Sequence, residues 1–140
     1  MPKIYLQAGL HADEQPGTLI LHYLLEMLEK ADKLGQLNAE FFVFPMVNPI
    51  GMAQINHHHH NGRFDFSTGI NFNRNWPDLA NCIIGENKEI IGNFTQDIKG
   101  NKNSIISAVT TWATNQKPIT ALERLRLEII KIAVNCDVVF

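Results

Sequence analysis

Apolar and polar positions fall into two rhythms along the 140-residue chain. Near the N-terminus, Lys3-Ile4-Tyr5-Leu6-Gln7-Ala8 is a short run with β-branched and aromatic residues that stops at Gly9, which predicts a buried strand. From Thr18 to about Leu34 the period changes: Leu21, Leu24, Leu25, Met27, Leu28 and Ala31 form an inner face, and Glu26, Glu29, Lys30, Asp32 and Lys33 cover the other side. Pro16 suits the first turn of this amphipathic helix, and Gly35 suits the left-handed position just past its end. Glu40 to Val47 then reads as a second strand, too continuously apolar to face water on one side. Strand, helix and strand make a βαβ-type unit, so the predicted class is α/β.

The period is lost after Asn48-Pro49-Ile50-Gly51. From there to about Trp76 the chain is rich in Asn, Gly and His and predicts one long loop, a length uncommon in compact domains unless the loop carries function. Ile83 to Lys99 mixes apolar residues with Gly85 and Gly92 and reads as helix and turns without chemistry. Ser104 to Trp112 fits a helix with Ile105, Ile106, Val109 and Trp112 inward. Thr120 and Glu123 match a capping box that opens a helix running to about Asn135, with Leu122, Leu125, Ile129, Ile132 and Ala133 on its apolar face. Asp137 to Phe140 begins another buried strand.

Composition narrows the class without naming a function. A net charge of −2 with 19% charged residues advertises neither a nucleic-acid partner nor an acidic membrane surface. No apolar run approaches the roughly 18 residues that span a bilayer, and Met1-Pro2-Lys3 leads into a strand, so a cytoplasmic location is expected. Cys82 and Cys136 belong to no C-x-x-C pattern and read as buried free thiols.

Candidate chemistry gathers in two stretches. Gly9-Leu10-His11-Ala12-Asp13-Glu14 places His11 and Glu14 three residues apart at the end of a strand, where an imidazole nitrogen and a carboxylate oxygen can converge on Zn²⁺. Alone, the same spacing also describes an idle surface pair. Arg63 and Arg74, set among Asn and Gly, can fork onto a carboxylate or an oxyanion, or can pair with Asp65 and Asp78 as weak surface bridges. His57 to His60 reads as a solvated loop tip that binds metal only adventitiously, because tight sites need ligands held by further hydrogen bonds. His22 reads as a surface or core-edge imidazole.

Three motifs in order carry a resemblance: the strand ending in Ala8-Gly9-Leu10-His11-Ala12-Asp13-Glu14 with Pro16-Gly17, then Val47-Asn48-Pro49-Ile50-Gly51, then Gly62-Arg63-Phe64-Asp65 running to Asn71-Phe72-Asn73-Arg74-Asn75-Trp76-Pro77. Together they resemble the succinylglutamate desuccinylase/aspartoacylase branch of the zinc carboxypeptidases. The resemblance implies a three-layer fold with a mostly parallel or mixed sheet and helices on both faces, residues 1–140 forming an incomplete catalytic domain. It implies zinc held by His11 and Glu14, Arg63 polarising a scissile carbonyl, and Asn73 and Arg74 holding the free carboxylate of an N-acyl amino acid or a peptide C-terminus. A metal-activated water would attack the amide or ester carbonyl, with a glutamate as general base. In the family the strand after the last helix runs into Asp-x-His, which supplies a third ligand, and the sequence stops at Phe140 first. We therefore expect a piece of a larger hydrolase, inactive alone and prone to associate through its unfinished sheet. The competing expectations are a non-catalytic anion-binding module and a structural half completed by another chain.

Overall fold

The computed structural model describes residues 1–86 and 94–140, which gather into two compact units. In chain order, β1 (Lys3–Gln7), α1 (Gln15–Lys33), β2 (Glu40–Phe44), α2 (Pro49–Met52), β3 (Ile55–Asn56) and β4 (His59–His60) belong to the first. The second holds α3 (Leu79–Glu86), α4 (Ile98–Asn115) and α5 (Ala121–Ala133), after which β5 (Val138–Val139) returns to the first. The α/β class with a parallel sheet is the one expected.

In the first unit, β1 lies between β2 and β5 and is parallel to both, in the register Tyr5 to Phe42 and Tyr5 to Val139. Tyr5 is the pivot of this sheet. It is 1% exposed, its ring centroid lies 5.2 Å from that of Phe44, and its hydroxyl donates to Gln7 Oε1 at 2.8 Å. Burial, reinforced by the neighbouring Cys136, pushes its phenol up to about 12.

Helix α1 starts with Pro16 in its first turn and ends in a Schellman motif, with Gly35 N–H donating to Asp32 O and Gln36 N–H to Ala31 O. Gly35 takes φ +66°, as that motif requires. Leu21 is buried and Leu24, Leu25, Leu28 and Ala31 are half-buried, but the predicted inner face is wrong at Met27, which is 65% exposed. Six residues separate Met27 from Leu21, which puts it about 120° round the helix from the inner stripe.

The long loop expected between Asn48 and Trp76 has structure of its own. Asn48 caps α2 by accepting from Gly51 N–H, and β3 pairs with β4 as a hairpin. His57 and His58 are its turn, at φ +48° and +64°, so the histidine tract is an exposed tip, as expected, but one ordered as a strand and a tight turn. Two consecutive left-handed residues mark a type I′ turn, which matches the twist of the flanking strands. His60 faces back onto α2, its Nε2 lying 3.0 Å from Gly51 O.

The second unit packs α3, α4 and α5 around Val109, Trp112, Ala113, Leu127 and Ile130, with Trp76, Leu79, Cys82, Ile83 and Val134 against them. Trp112 is therefore core, as expected, whereas Ile105, expected inward, is 40% exposed. The capping box at α5 is formed in both directions between Thr120 and Glu123. Residues 87–93, within the stretch expected to mix helix and turns, lie outside the described residues. Cys82 and Cys136 are free thiols, half-buried and buried respectively. No helix among the described residues is long and apolar enough to cross a membrane.

Two outcomes follow. Because the folded protein holds Tyr5 neutral above the ordinary phenol range, its contribution to stability is complete below about pH 10 and is lost as pH rises through about 12. Ultraviolet titration is expected to show Tyr5 ionising together with loss of the sheet's circular dichroism; ionisation near pH 10 with the sheet intact would contradict it. Changing His57→Asn and His58→Gly supplies the residues that the turn geometry favours, and is expected to raise stability in urea unfolding by about 0.5 to 1 kcal/mol.

Candidate functional site

The chain leaves β1 through Gly9, at φ +67°, where a Cβ would sit 3.2 Å from Thr18 Oγ1 and 3.4 Å from Met46 Cα. The loop that follows is held mainly by main-chain bonds. Val47 N–H donates to Ala8 O, Ala12 N–H to Gly62 O, and Glu14 N–H to His11 O at 3.0 Å, closing a turn that brings the His11 and Glu14 side chains together. Asn48, fully buried, adds a side-chain tie by donating from Nδ2 to Leu10 O at 2.8 Å.

A second loop is laid on the first at Gly62. A Cβ there would lie 2.2 Å from Asp13 N and 2.6 Å from Ala12 C, so only a residue without one permits this backbone approach. Beyond it, Arg63 to Phe72 forms a hairpin, with Phe64 bridged to Asn71 and Phe72 N–H donating to Arg63 O. Asp65 organises its turn, accepting from the hydroxyls of Ser67 and Thr68 at 2.7 Å each. Burial pushes the Asp65 carboxyl up, but these bonds and those from the main chain outweigh it and hold the group below its ordinary value. Buried Gln54 anchors the same loop, donating to Asn61 O and Phe64 O and accepting from Phe66 N–H.

This pairing of loops gathers His11, Glu14 and Arg63. His11 Nδ1 lies 3.4 Å from Glu14 Oε1, with the His11 side chain 10% exposed and that of Glu14 56%. The Arg63 guanidinium donates through Nη2 to the same Glu14 oxygen. On the other side of the ring, His11 Nε2 meets Asn71 Oδ1 at 2.8 Å. His11, Glu14 and Asn73 line one open pocket of about 780 Å³ at the end of β1, together with Asp13, Gly17 and Phe140.

The donor atoms fit a zinc ion as far as they go. Two ligands held about 2.0 to 2.2 Å from a tetrahedral Zn²⁺ stand about 3.3 to 3.6 Å apart; the 3.4 Å between His11 Nδ1 and Glu14 Oε1 falls in that range. Among the described residues no third His, Cys, Asp or Glu joins them. His57 to His60 form no such group either.

The other predicted residues divide. Arg63 reaches Glu14, while Asp65 is bonded to Ser67 and Thr68, and Asp78 accepts from Asn81 at the start of α3. The arginine loop thus does not have the surface pairing of Arg63 with Asp65, nor does it offer Arg63 without a carboxylate. Asn73 lines the pocket; Arg74 is not among the lining residues, and its Nη1 donates to Asn73 O at 2.7 Å. Asn71, Asn48 and Gly62 were not singled out from sequence as parts of the site. Asn71 opens a turn in which its Oδ1 accepts from Asn73 N–H, an Asx turn that the sequence could suggest but that does not by itself mark a site.

The chain is thus an α/β domain whose central strand ends in a His and a Glu three residues apart, both lining one pocket. Residues 1–125 match the family described as zinc carboxypeptidase, and the chain belongs to that family of hydrolases. Among solved structures it is similar to a succinylglutamate desuccinylase/aspartoacylase family protein from Shewanella amazonensis, at 24% identity and a TM-score of 0.68, over 99% of this chain and 37% of that one. It is also similar to a protein of the same description from Shewanella frigidimarina, at 25% identity and a TM-score of 0.72, over 99% of this chain and 36% of that one. The chain thus spans little more than a third of the length of either structure. Among curated proteins none matches.

The Gly62 contact is testable directly. Gly62→Ala is expected to cost about 1 to 3 kcal/mol in urea unfolding, as overpacking against fixed backbone does. Gly85→Ala, in α3 with open space around it, is the control and is expected to be neutral or to stabilise slightly. Equal effects of the two changes would show that the close approach is not a constraint.

Proposed function

We propose that this chain forms part of a zinc-dependent hydrolase that cleaves an amide or ester bond in a carboxylate-bearing substrate, such as an N-acyl amino acid or a peptide C-terminus. The observation that carries the reading is the convergence of His11 Nδ1 and Glu14 Oε1, 3.4 Å apart, on the pocket at the end of β1. Family membership supports it, as do the printed names of the two structures that share the fold.

When bound, the metal supplies Lewis-acid polarisation of the carbonyl and acidifies an attacking water. The chain's own residues bind and orient. His11 and Glu14 present two lone pairs to one point, with the imidazole largely sheltered from solvent. Arg63 donates to Glu14 Oε1, and its remaining guanidinium N–H groups would be offered to a substrate carbonyl oxygen. Asn73, at the pocket wall, offers its amide to the substrate carboxylate, and Arg74, bonded to Asn73 O, adds positive charge beside it. A purely anion-binding module is the weaker reading, because Arg63 is already engaged by a carboxylate. A cytoplasmic setting belongs to the same proposal. So does self-association through β5, whose Val138 and Val139 are 40% and 53% exposed at the edge of the described sheet.

Two ligands leave most of the coordination to water, so the 140-residue chain is expected to bind Zn²⁺ more weakly than about 1 μM and to show no turnover of N-acyl amino acids. Calorimetry checks this in a variant whose His57 to His60 are all replaced by Ser, so that the tract contributes nothing. Binding abolished by His11→Ala and by Glu14→Ala supports the reading; binding that neither change touches overturns it.

A further inference from the structure

Asn61 and Gly62 form the one Asn-Gly step in the chain, and it falls at the crossing of the two loops. In such a step the main-chain nitrogen of the second residue can attack the side-chain amide carbon of the first, because glycine has no Cβ to bar the approach. Three features of the fold leave that path open. Asn61 is exposed to solvent. Its side-chain amide is held by a single bond, Nδ2 donating to His59 O at 2.9 Å. The Gly62 N–H has no acceptor among the described residues, so the nitrogen that must attack gives up no bond. What is tied down is the main chain on either side: Asn61 N–H donates to Gln54 O, Asn61 O accepts from Gln54 Nε2, and Gly62 O accepts from Ala12 N–H.

We infer that Asn61 is a site of spontaneous modification, which converts through a cyclic imide to isoaspartate in the folded protein and thereby undoes the loop crossing. In the first step the bond from Gly62 N to Asn61 Cγ forms and that from Cγ to Nδ2 breaks, and the amide nitrogen leaves as ammonia with the proton from Gly62. One water then opens the ring, its oxygen staying on the carbonyl carbon that it attacks while the released nitrogen recovers a proton. Opening at Cγ gives aspartate in an unchanged chain. Opening at the Asn61 main-chain carbonyl leaves the chain running through Cβ and Cγ, one carbon longer, and turns that carbonyl into a free carboxylate. The carbonyl that accepts from Gln54 is thus taken out of the chain, and the added carbon falls between the bonds that Asn61 N–H and Gly62 O make. Gly62 has no slack to absorb it, since even an added Cβ would stand 2.2 Å from Asp13 N and 2.6 Å from Ala12 C. Arg63, the next residue, is displaced with it. The inference depends on the crossing alone and holds whether or not the pocket takes a metal.

The test is to incubate the 140-residue chain at neutral and mildly alkaline pH, digest it with trypsin, and follow the peptide ending at Arg63 by mass spectrometry with fragmentation that separates isoaspartate from aspartate. The folded protein is expected to convert at Asn61, faster as pH rises and with isoaspartate in excess. Its rate is expected to lie within about tenfold of the rate in urea, because one exposed hydrogen bond is all that the fold sets against the swing of the side chain. Asn103, followed by Ser104 inside α4 where the helix ladder engages the main-chain nitrogen, is the internal control and is expected to stay intact. The isoaspartate form is expected to unfold at lower urea than the unaltered protein, whereas freshly prepared Asn61→Asp, which has the new charge without the longer chain, is expected to match the unaltered protein. Conversion in urea with none in the folded chain overturns the inference, as does equal conversion at Asn103. Isoaspartate that leaves the urea midpoint unchanged, or an Asn61→Asp protein as unstable as the isoaspartate form, overturns the claim that the longer chain undoes the crossing.

Discussion

The site depends on one contact between two stretches of backbone. Gly62 lies against Ala12 and Asp13 so closely that no side chain fits between them, and its carbonyl receives the Ala12 N–H. Ala12 and Phe72, 1% and 0% exposed, bury apolar surface on both loops, but burial is non-directional and does not fix how they cross. What holds them is a main-chain hydrogen bond, made where Ala12 is 1% exposed and an unmade bond would leave a buried donor unsatisfied. From this contact the rest follows by short steps of chain. Arg63 is one residue beyond Gly62, Glu14 is two residues beyond Ala12, and His11 is one before it, so fixing the backbone crossing fixes the three side chains relative to one another.

Around that crossing the first unit uses buried amides where a larger protein would use more core. Asn48, 0% exposed, and Gln54, 8% exposed, have both ends of their side chains engaged by main-chain groups. Each such bond contributes only about 0.5 to 1.5 kcal/mol net, but deleting one partner costs about 1 to 3 kcal/mol. The energetic role of these amides is therefore to penalise alternative loop arrangements more than to stabilise this one. Asp65 does the same with a charge, its oxygens taken by Ser67 and Thr68. A loop so held can present Arg63 and Asn71 at fixed positions without regular secondary structure of any length.

How much of this was legible in the sequence depends on the range of the interaction that decides it. Helices α1 and α5 were visible because periodicity, Pro16, Gly35 and the Thr120 to Glu123 box all act within a few residues. β1 and β2 were visible as apolar runs bounded by turn residues. The β3 to β4 hairpin was not, because its turn uses His57 and His58 where Asn and Gly would announce it, and because its strands are two residues each. Met27 was misassigned since a list of apolar positions does not say which stripe a sheet covers. Of the site, His11, Glu14 and Arg63 were legible from motif chemistry, but their meeting was not, since it rests on a glycine whose importance lies in a contact 50 residues away in sequence. Asn71 escaped for the same reason. An asparagine among many in a polar loop acquires its role only when His11 is placed beside it.

Charge at the crossing is balanced by the side chains that meet there. His11 Nδ1 lies 3.4 Å from Glu14 Oε1, and the Glu14 carboxylate favours a positive group beside it. Arg63 meets that need at Glu14, but its side chain is 44% exposed and that of Glu14 56%, so solvent screens the pair to about 1 kcal/mol or less. A contact of that size orders the Arg63 and Glu14 side chains only loosely. Neither side chain is thereby committed to the other, so the stability of the first unit does not depend on their staying paired. A buried pair would differ, because removing either partner would strand a charge away from water at a cost of about 3 to 5 kcal/mol. Partial exposure of this ion pair is what leaves both groups able to change partner at little cost.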